Sequence, residues 1–194
     1  MFLRIATLDD VTAIQRLIAR SVRELSSNYY SDDQIENALL HIFGVDTQLI
    51  EDETYFVVEV EGEIVGAGGW SRRSTLYGGD QMKSSGADLE LDPANEAARL
   101  RAFYVRPDWA RKGIGKQIVK ACEDAASSAG FRRLELIATL PGEPLYTALG
   151  YIRLEPVDLP LPDGTSLPAF RMEKMLIEDH PQTTQKPEDR RQKS

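Results

Sequence analysis

Residues 100–129 constrain the fold more tightly than any other stretch of the chain. The run LRAFYV has the apolar and aromatic content of a strand, and Pro107 ends it. Gly113 and Gly115 then open a helix whose apolar stripe is Ile114, Ile118, Cys122 and Ala125, and Gly130 stops it. A strand that turns through a short loop into an amphipathic helix predicts a sheet with helix packed on it.

The flanking segments repeat that alternation. Residues 2–6 form a short strand, Thr7 or Asp9 caps a following helix, and Val11, Ile14, Leu17, Ile18, Val22 and Leu25 recur at helical spacing. Ser31-Asp32-Asp33 starts a second helix through Ile35, Ala38, Leu39 and Ile42. Residues 54–60 and 63–70 are strands joined by a tight hairpin at Glu61-Gly62. Residues 72–96 are polar and aperiodic, a long surface excursion of the kind that carries function. After the central unit come a strand at 134–138, a short helix at 144–149 ended by Gly150, and a strand at 151–154. A Pro-rich turn segment at 156–168 leads to a last strand at 169–176. The pattern predicts an α/β fold with a mixed, mostly antiparallel central sheet flanked by helices. It forms one domain over residues 1–177, with a disordered tail at 178–194, where four acidic and four basic residues cancel.

No stretch approaches the roughly 18 to 20 uncharged apolar residues of a membrane span, and the first residues do not read as a signal peptide. Cys122 is the only cysteine and His41 and His180 the only histidines, so no disulfide framework or multi-cysteine metal site is expected. A soluble protein of a reducing cytoplasm fits. The net charge of -8 argues against binding nucleic acid by broad phosphate neutralisation. Residues 24–71 carry 11 acidic residues and no Lys or Arg, whereas residues 99–116 carry Arg99, Arg101, Arg106, Arg111, Lys112 and Lys116 against Asp108 alone.

That basic segment holds the chemistry. Gly113 and Gly115 in the first turn of a helix let the backbone approach an anion, and first-turn N–H groups have no partner within the helix. Arg111, Lys112 and Lys116 add positive charge. The P-loop pattern is absent, and Ile118 occupies the third glycine position of the dinucleotide fingerprint.

From Phe103-Tyr104-Val105 through this turn to Pro144-Leu145-Tyr146-Thr147-Ala148-Leu149-Gly150-Tyr151, the chain resembles the GNAT superfamily of N-acetyltransferases. Two motifs carry the resemblance: the pyrophosphate loop [QR]-x-x-G-x-[GA] and a Tyr three residues before a Leu-Gly-aromatic triplet. The resemblance implies acetyl-CoA as cosubstrate, with no metal, bound by Phe103, Tyr104, Val105, Arg111, Lys112, Gly113, Ile114, Gly115, Lys116 and Thr139. It implies Tyr146 as the general acid that protonates the departing thiolate. Ala110 departs from the loop's usual Gln or Arg, Arg99 stands where many members place a catalytic Glu, and Thr139 replaces a frequent Asn.

The general base is unassigned, with Glu135, Glu90, Glu96, His41 or a water relay as candidates. Trp70, Arg72 and Arg73 follow a strand directly and are candidate acceptor-cleft residues. The expected activity is transfer of an acetyl group to a primary amine of a small molecule or a protein, with no nucleic-acid or membrane partner. Whether the protein is a homodimer is open. A non-catalytic acyl-CoA sensor and a kinase or reductase on an unrelated α/β fold are the alternatives. Acidic residues 24–71 suggest a cationic acceptor, and Arg72, Arg73 and Arg101 an anionic one.

Overall fold

A computed structural model describes residues 1–83 and 88–176. The expected tail lies outside the described residues.

The chain opens with strand β1 (Phe2–Ile5) and a single 3-10 turn at Leu8–Asp10, in which the Thr7 amide donates to the Asp10 carboxylate at 2.8 Å. Helix α1 (Val11–Ser26) buries Ile14, Leu17, Ile18 and Val22, the stripe its spacing predicts. Helix α2 (Asp32–His41) is capped by Ser31, whose hydroxyl accepts from the Gln34 amide at 3.2 Å. A five-residue helix, α3 (Thr47–Glu51), was not foreseen, because one turn is too short to display a period. Strands β2 (Tyr55–Val60) and β3 (Glu63–Ser71) form the expected hairpin, with Glu61 and Gly62 both at positive φ as a two-residue turn requires.

Strand β4 (Ala98–Val105), helix α4 (Ile114–Ser128), strand β5 (Arg133–Thr139) and helix α5 (Glu143–Ala148) follow as read, with ends shifted by one or two residues. The Pro-rich segment is a correction. Strand β6 runs from Ile152 to Pro160 and β7 from Ser166 to Met175, so Pro156, Pro160 and Pro168 lie within strands. They are tolerated because β6 is an edge strand and Pro168 lies beyond the last β5 pair, Thr139 with Ala169.

The seven strands stand in the order β1-β2-β3-β4-β5-β7-β6, antiparallel except between β4 and β5. This is the mixed, mostly antiparallel α/β sheet that the sequence predicts. Helices α1 to α3 cover one core cluster with Tyr55, Val57 and Ala67, and α4 and α5 cover the other with Val65, Leu100 and Leu134. No helix among the described residues is long and apolar enough to cross a membrane.

Candidate active site

The site begins where the sheet comes apart. The parallel strands β4 and β5 share only two register pairs, Ala98 with Leu134 and Arg99 with Glu135, and then diverge. Beyond that point β4 also carries an extra residue. Its pairing to β3 shifts between Gly69–Arg101 and Ala67–Tyr104, and Ala102 takes φ of +60°. One inserted residue exchanges the faces of everything after it. Leu100 therefore packs in the core beneath α4, Ala102 and Tyr104 pack on the α1 side, and Phe103 and Val105 return to the α4 side. The fully buried Tyr55 steadies the bulge by donating its phenol proton to the Ala102 carbonyl at 3.0 Å.

Divergence frees one edge of β4. The Arg106 amide donates to Val65 of β3 at 2.9 Å, so the preceding amide, that of Val105, faces the open side, where the Ser21 hydroxyl accepts from it at 3.3 Å. The opening continues into a cavity of about 670 Å³, lined by Phe103, Tyr104 and Val105 of β4, Thr139 at the end of β5, and Arg111, Gly113, Gly115 and Lys116 of the turn.

The turn has the conformation that an anion site requires. Gly113 precedes α4 at φ of +85°, in the left-handed region, and a Cβ added there would meet nothing within 4 Å. The amides of Ile114, Gly115 and Lys116, in the first helical turn, have no intrahelical acceptor. Small residues elsewhere set the helix in place. A Cβ on Gly66 of β3 would lie 2.4 Å from Ile114 Cγ2, so α4 rests directly on the sheet at that point.

Tyr146 of α5 lies in the same cavity, with its ring edge-on to Phe103 at 6.1 Å and to Tyr151 at 5.7 Å. It is 7% exposed, and burial pushes its phenol well above the usual value, so the proton stays on oxygen throughout the neutral range.

Of the residues singled out by sequence, Phe103, Tyr104, Val105, Arg111, Gly113, Gly115, Lys116, Thr139 and Tyr146 come together around one cavity. Lys112 instead sits 4.6 Å above the Trp109 ring, and Ile114 is buried under β3. Trp70, Arg72 and Arg73 do not line it either. Trp70 packs edge-on against Phe131 in the α4-side core, Arg73 forks onto Asp52 at 2.7 and 3.0 Å, and Arg72 faces Glu90.

The base candidates are also elsewhere. Glu135 is held between Arg99, at 2.6 Å, and Arg171. The Glu96 carboxylate accepts from the Asp92 amide, and neither Glu90 nor His41 lines the cavity. Among the described residues, no carboxylate or histidine lines it at all.

Several lining residues were not read from the sequence. Val22, Leu25 and Tyr29 of the α1 end, Phe43 after α2, and Leu76 and Tyr77 of the excursion form an apolar wall. The excursion is tied down there by Gly79 and Asp80 amides donating to Ile42 and Val45, both at 2.9 Å. Arg101, 5% exposed, pairs with the buried Asp46 at 2.6 Å and donates to the Thr75 carbonyl at 3.2 Å. Asp46 also holds Lys83 at 2.7 Å. Within 72–96, which reads as polar and aperiodic, the adjacent pair Leu76-Tyr77 is the one local feature that fits this wall.

A sheet parted beside a glycine-opened helix, with a buried phenol in the same cleft, defines the class as an acyltransferase. The acetyltransferase (GNAT) family matches residues 13–151 of the 194, and the chain belongs to that family. Similar solved structures include a GCN5-related N-acetyltransferase from Rhodopseudomonas palustris, 18% identical, covering 90% of this chain and 95% of that chain at a TM-score of 0.64. PaiA N-acetyltransferase from Thermoplasma acidophilum, in complex with coenzyme A, is 14% identical, with 90% and 98% covered and a TM-score of 0.59. YncA from Salmonella typhimurium, with its cofactor acetyl-CoA, is 16% identical, with 91% and 94% covered and a TM-score of 0.59. At these identities the likeness shows a shared fold. Comparison with curated proteins gave no match.

Proposed function

We propose that the chain transfers an acetyl group from acetyl-CoA directly to a primary amine. The observation that carries this reading is the opening between β4 and β5 beside the Gly113 turn. The residues present fit the cosubstrate: the left-handed Gly113 leaves open space, the first-turn amides of α4 are free for phosphate oxygens, and Arg111 and Lys116 line the approach. Structures that share the fold hold coenzyme A or acetyl-CoA.

Bound acetyl-CoA supplies the activated thioester. The free edge of β4 orients the extended arm that carries it, and a main-chain N–H on that edge is a donor for the charge that develops on the carbonyl oxygen. Tyr146 holds a proton at its phenol oxygen and donates it to the sulfur as the C–S bond breaks and the C–N bond forms. Solvent then restores the phenol.

The test is binding and turnover. Calorimetry should show acetyl-CoA binding without added metal, and thiol release should follow addition of a suitable amine. Gly113→Asp places bulk and negative charge where phosphate sits and should weaken acetyl-CoA binding at least about 10-fold. Unchanged affinity in a folded variant rejects the turn as the anion site. Tight acetyl-CoA binding with no turnover over a broad amine panel would favour a sensor module instead.

A further inference from the structure

On the proposed acetyl transfer, the amine must enter the same cavity, part of whose lining lies outside the anion turn. That part is mostly apolar, with the hydroxyls of Ser21 and Ser26 beside it. Val22 and Leu25 from α1, Tyr29 just after it, Phe43 after α2, Leu76 and Tyr77 from the excursion, and Tyr104 of β4 present apolar or aromatic surface to the cavity. Phe43 and Tyr104 stand edge to face at 6.4 Å.

Charge is nearly absent from that wall. Among the described residues, the charged side chains lining the whole cavity are Arg101, Arg111 and Lys116, all cationic. Arg111 and Lys116 belong to the anion turn, and Arg101 is matched by Asp46. The titratable groups on the acceptor side are the phenols of Tyr29, Tyr77 and Tyr104, and burial raises that of Tyr104 further. Burial keeps Tyr104 protonated near neutral pH, and no carboxylate or imidazole lines the cavity among the described residues.

An ammonium group entering such a pocket loses its water and gains no anion from the lining residues. The neutral amine loses far less.

We propose that this pocket takes a small primary amine with an uncharged apolar or aromatic body, and that desolvation in the pocket, rather than a side-chain base, delivers the amine neutral. The ammonium gives its proton to water on entry. Its nitrogen lone pair is then free to form the C–N bond, and the second proton leaves to water as the amide forms. A polycationic acceptor, or a lysine-rich peptide, brings further positive charge into the same apolar space and is disfavoured.

The pocket can be tested without turnover. Calorimetry of 2-phenylethylamine binding to the full chain, in buffers of different ionisation enthalpy at pH 7.5, should show release of close to one proton per amine bound. Binding with no proton release overturns the proposal. In steady state, kcat/KM for 2-phenylethylamine should exceed that for 1,5-diaminopentane by about 10-fold or more. Faster acetylation of the diamine or of a lysine-rich peptide also overturns it.

Tyr77→Ala and Phe43→Ala, each checked for folding by circular dichroism, should raise KM for 2-phenylethylamine and leave acetyl-CoA affinity unchanged. Unchanged amine KM in both removes the wall from the acceptor site. The two readings separate cleanly. Amine binding with proton release but no acetyl-CoA binding would sink the transferase assignment alone, whereas acetyl-CoA turnover with an amine bound as ammonium would sink this one alone.

Discussion

At the scale of single residues, Tyr146 is the group on which the proposed chemistry most directly turns. Its phenol is buried against Phe103 and Tyr151, and that burial holds it protonated well beyond neutral pH. A phenol is a weak acid for a thiolate, since the free thiol titrates near ~8.5 and the phenol near ~10, so its value lies in position rather than driving force. Tyr146→Phe keeps both ring contacts and deletes the proton. It should lower kcat by about 10- to 1,000-fold with little change in acetyl-CoA affinity. Because the raised pKa keeps the acid form present, kcat in the parent should show no loss from Tyr146 ionisation up to about pH 10. Equal kcat in parent and variant, where chemistry limits the rate, would reduce Tyr146 to packing. The motif around it was legible because its spacing from Leu149-Gly150-Tyr151 is fixed by one short helix and its glycine stop, at φ of +88°. Arg101 was read as a charge that would favour an anionic acceptor, but its neutralisation was not legible, because the partner Asp46 is 55 positions away and just ahead of an unforeseen helix.

The elements that build the site differ in how openly the sequence declares them. Helix α4 was readable from its apolar stripe, and strands β2 to β5 from their apolar and aromatic runs, which are unbroken because core packs on both faces of the sheet. The bulge in β4 was not. Ala102 carries no glycine or asparagine signal for its positive φ, and the conformation is held from outside, by the Tyr55 phenol. The seat of α4 is likewise a two-element property. Gly66 reads as a weak point in a strand, yet it is where Ile114 and Ile118 come down onto β3. Gly66→Ala brings a methyl to 2.4 Å from Ile114 Cγ2 and 3.2 Å from Ile118 Cδ1, and both belong to the first turns of the helix that carries the proposed anion site. It should cost roughly 1–3 kcal/mol in denaturant unfolding, as overpacking does, and weaken acetyl-CoA binding because the first turn is displaced. Stability lost with acetyl-CoA affinity untouched would show that the turn is positioned independently of β3.

Across the whole molecule, the cleft exists because two sheet portions, β1 to β4 and β5 to β7, meet at a narrow apex. Only two register pairs join them, and one is Arg99 with Glu135. Glu135 carries that junction twice over, binding Arg99 on one side and Arg171 of β7 on the other. The position that raised the question of a missing catalytic carboxylate at Arg99 is thus a structural clamp. The acidic run has a similar fate. Glu24, Glu36, Asp46, Asp52, Glu59 and Glu63 are paired with Arg20, Arg23, Arg101, Arg73, Arg4 and Arg106, partners that all lie outside 24–71 and so were invisible to a local charge count. Burial alone would raise the Glu135 carboxyl, but the Arg171 hydrogen bond and the two guanidinium charges outweigh it and hold it below the usual carboxylate range. A carboxylate whose folded pKa is depressed contributes stability that is complete above its unfolded pKa, near ~4.3, and that is lost as pH falls through the folded value. Glu135→Gln should therefore destabilise the fold by roughly 1–3 kcal/mol at pH 7, the cost of leaving charged partners unmatched, and the gap to the parent should close progressively below about pH 4. Urea unfolding of both proteins from pH 7 down to 3 measures it. Parallel stability curves across that range would mean that Glu135 does not clamp the apex through its charge, and that the strand pairs at Ala98 and Arg99 hold the two portions together unaided.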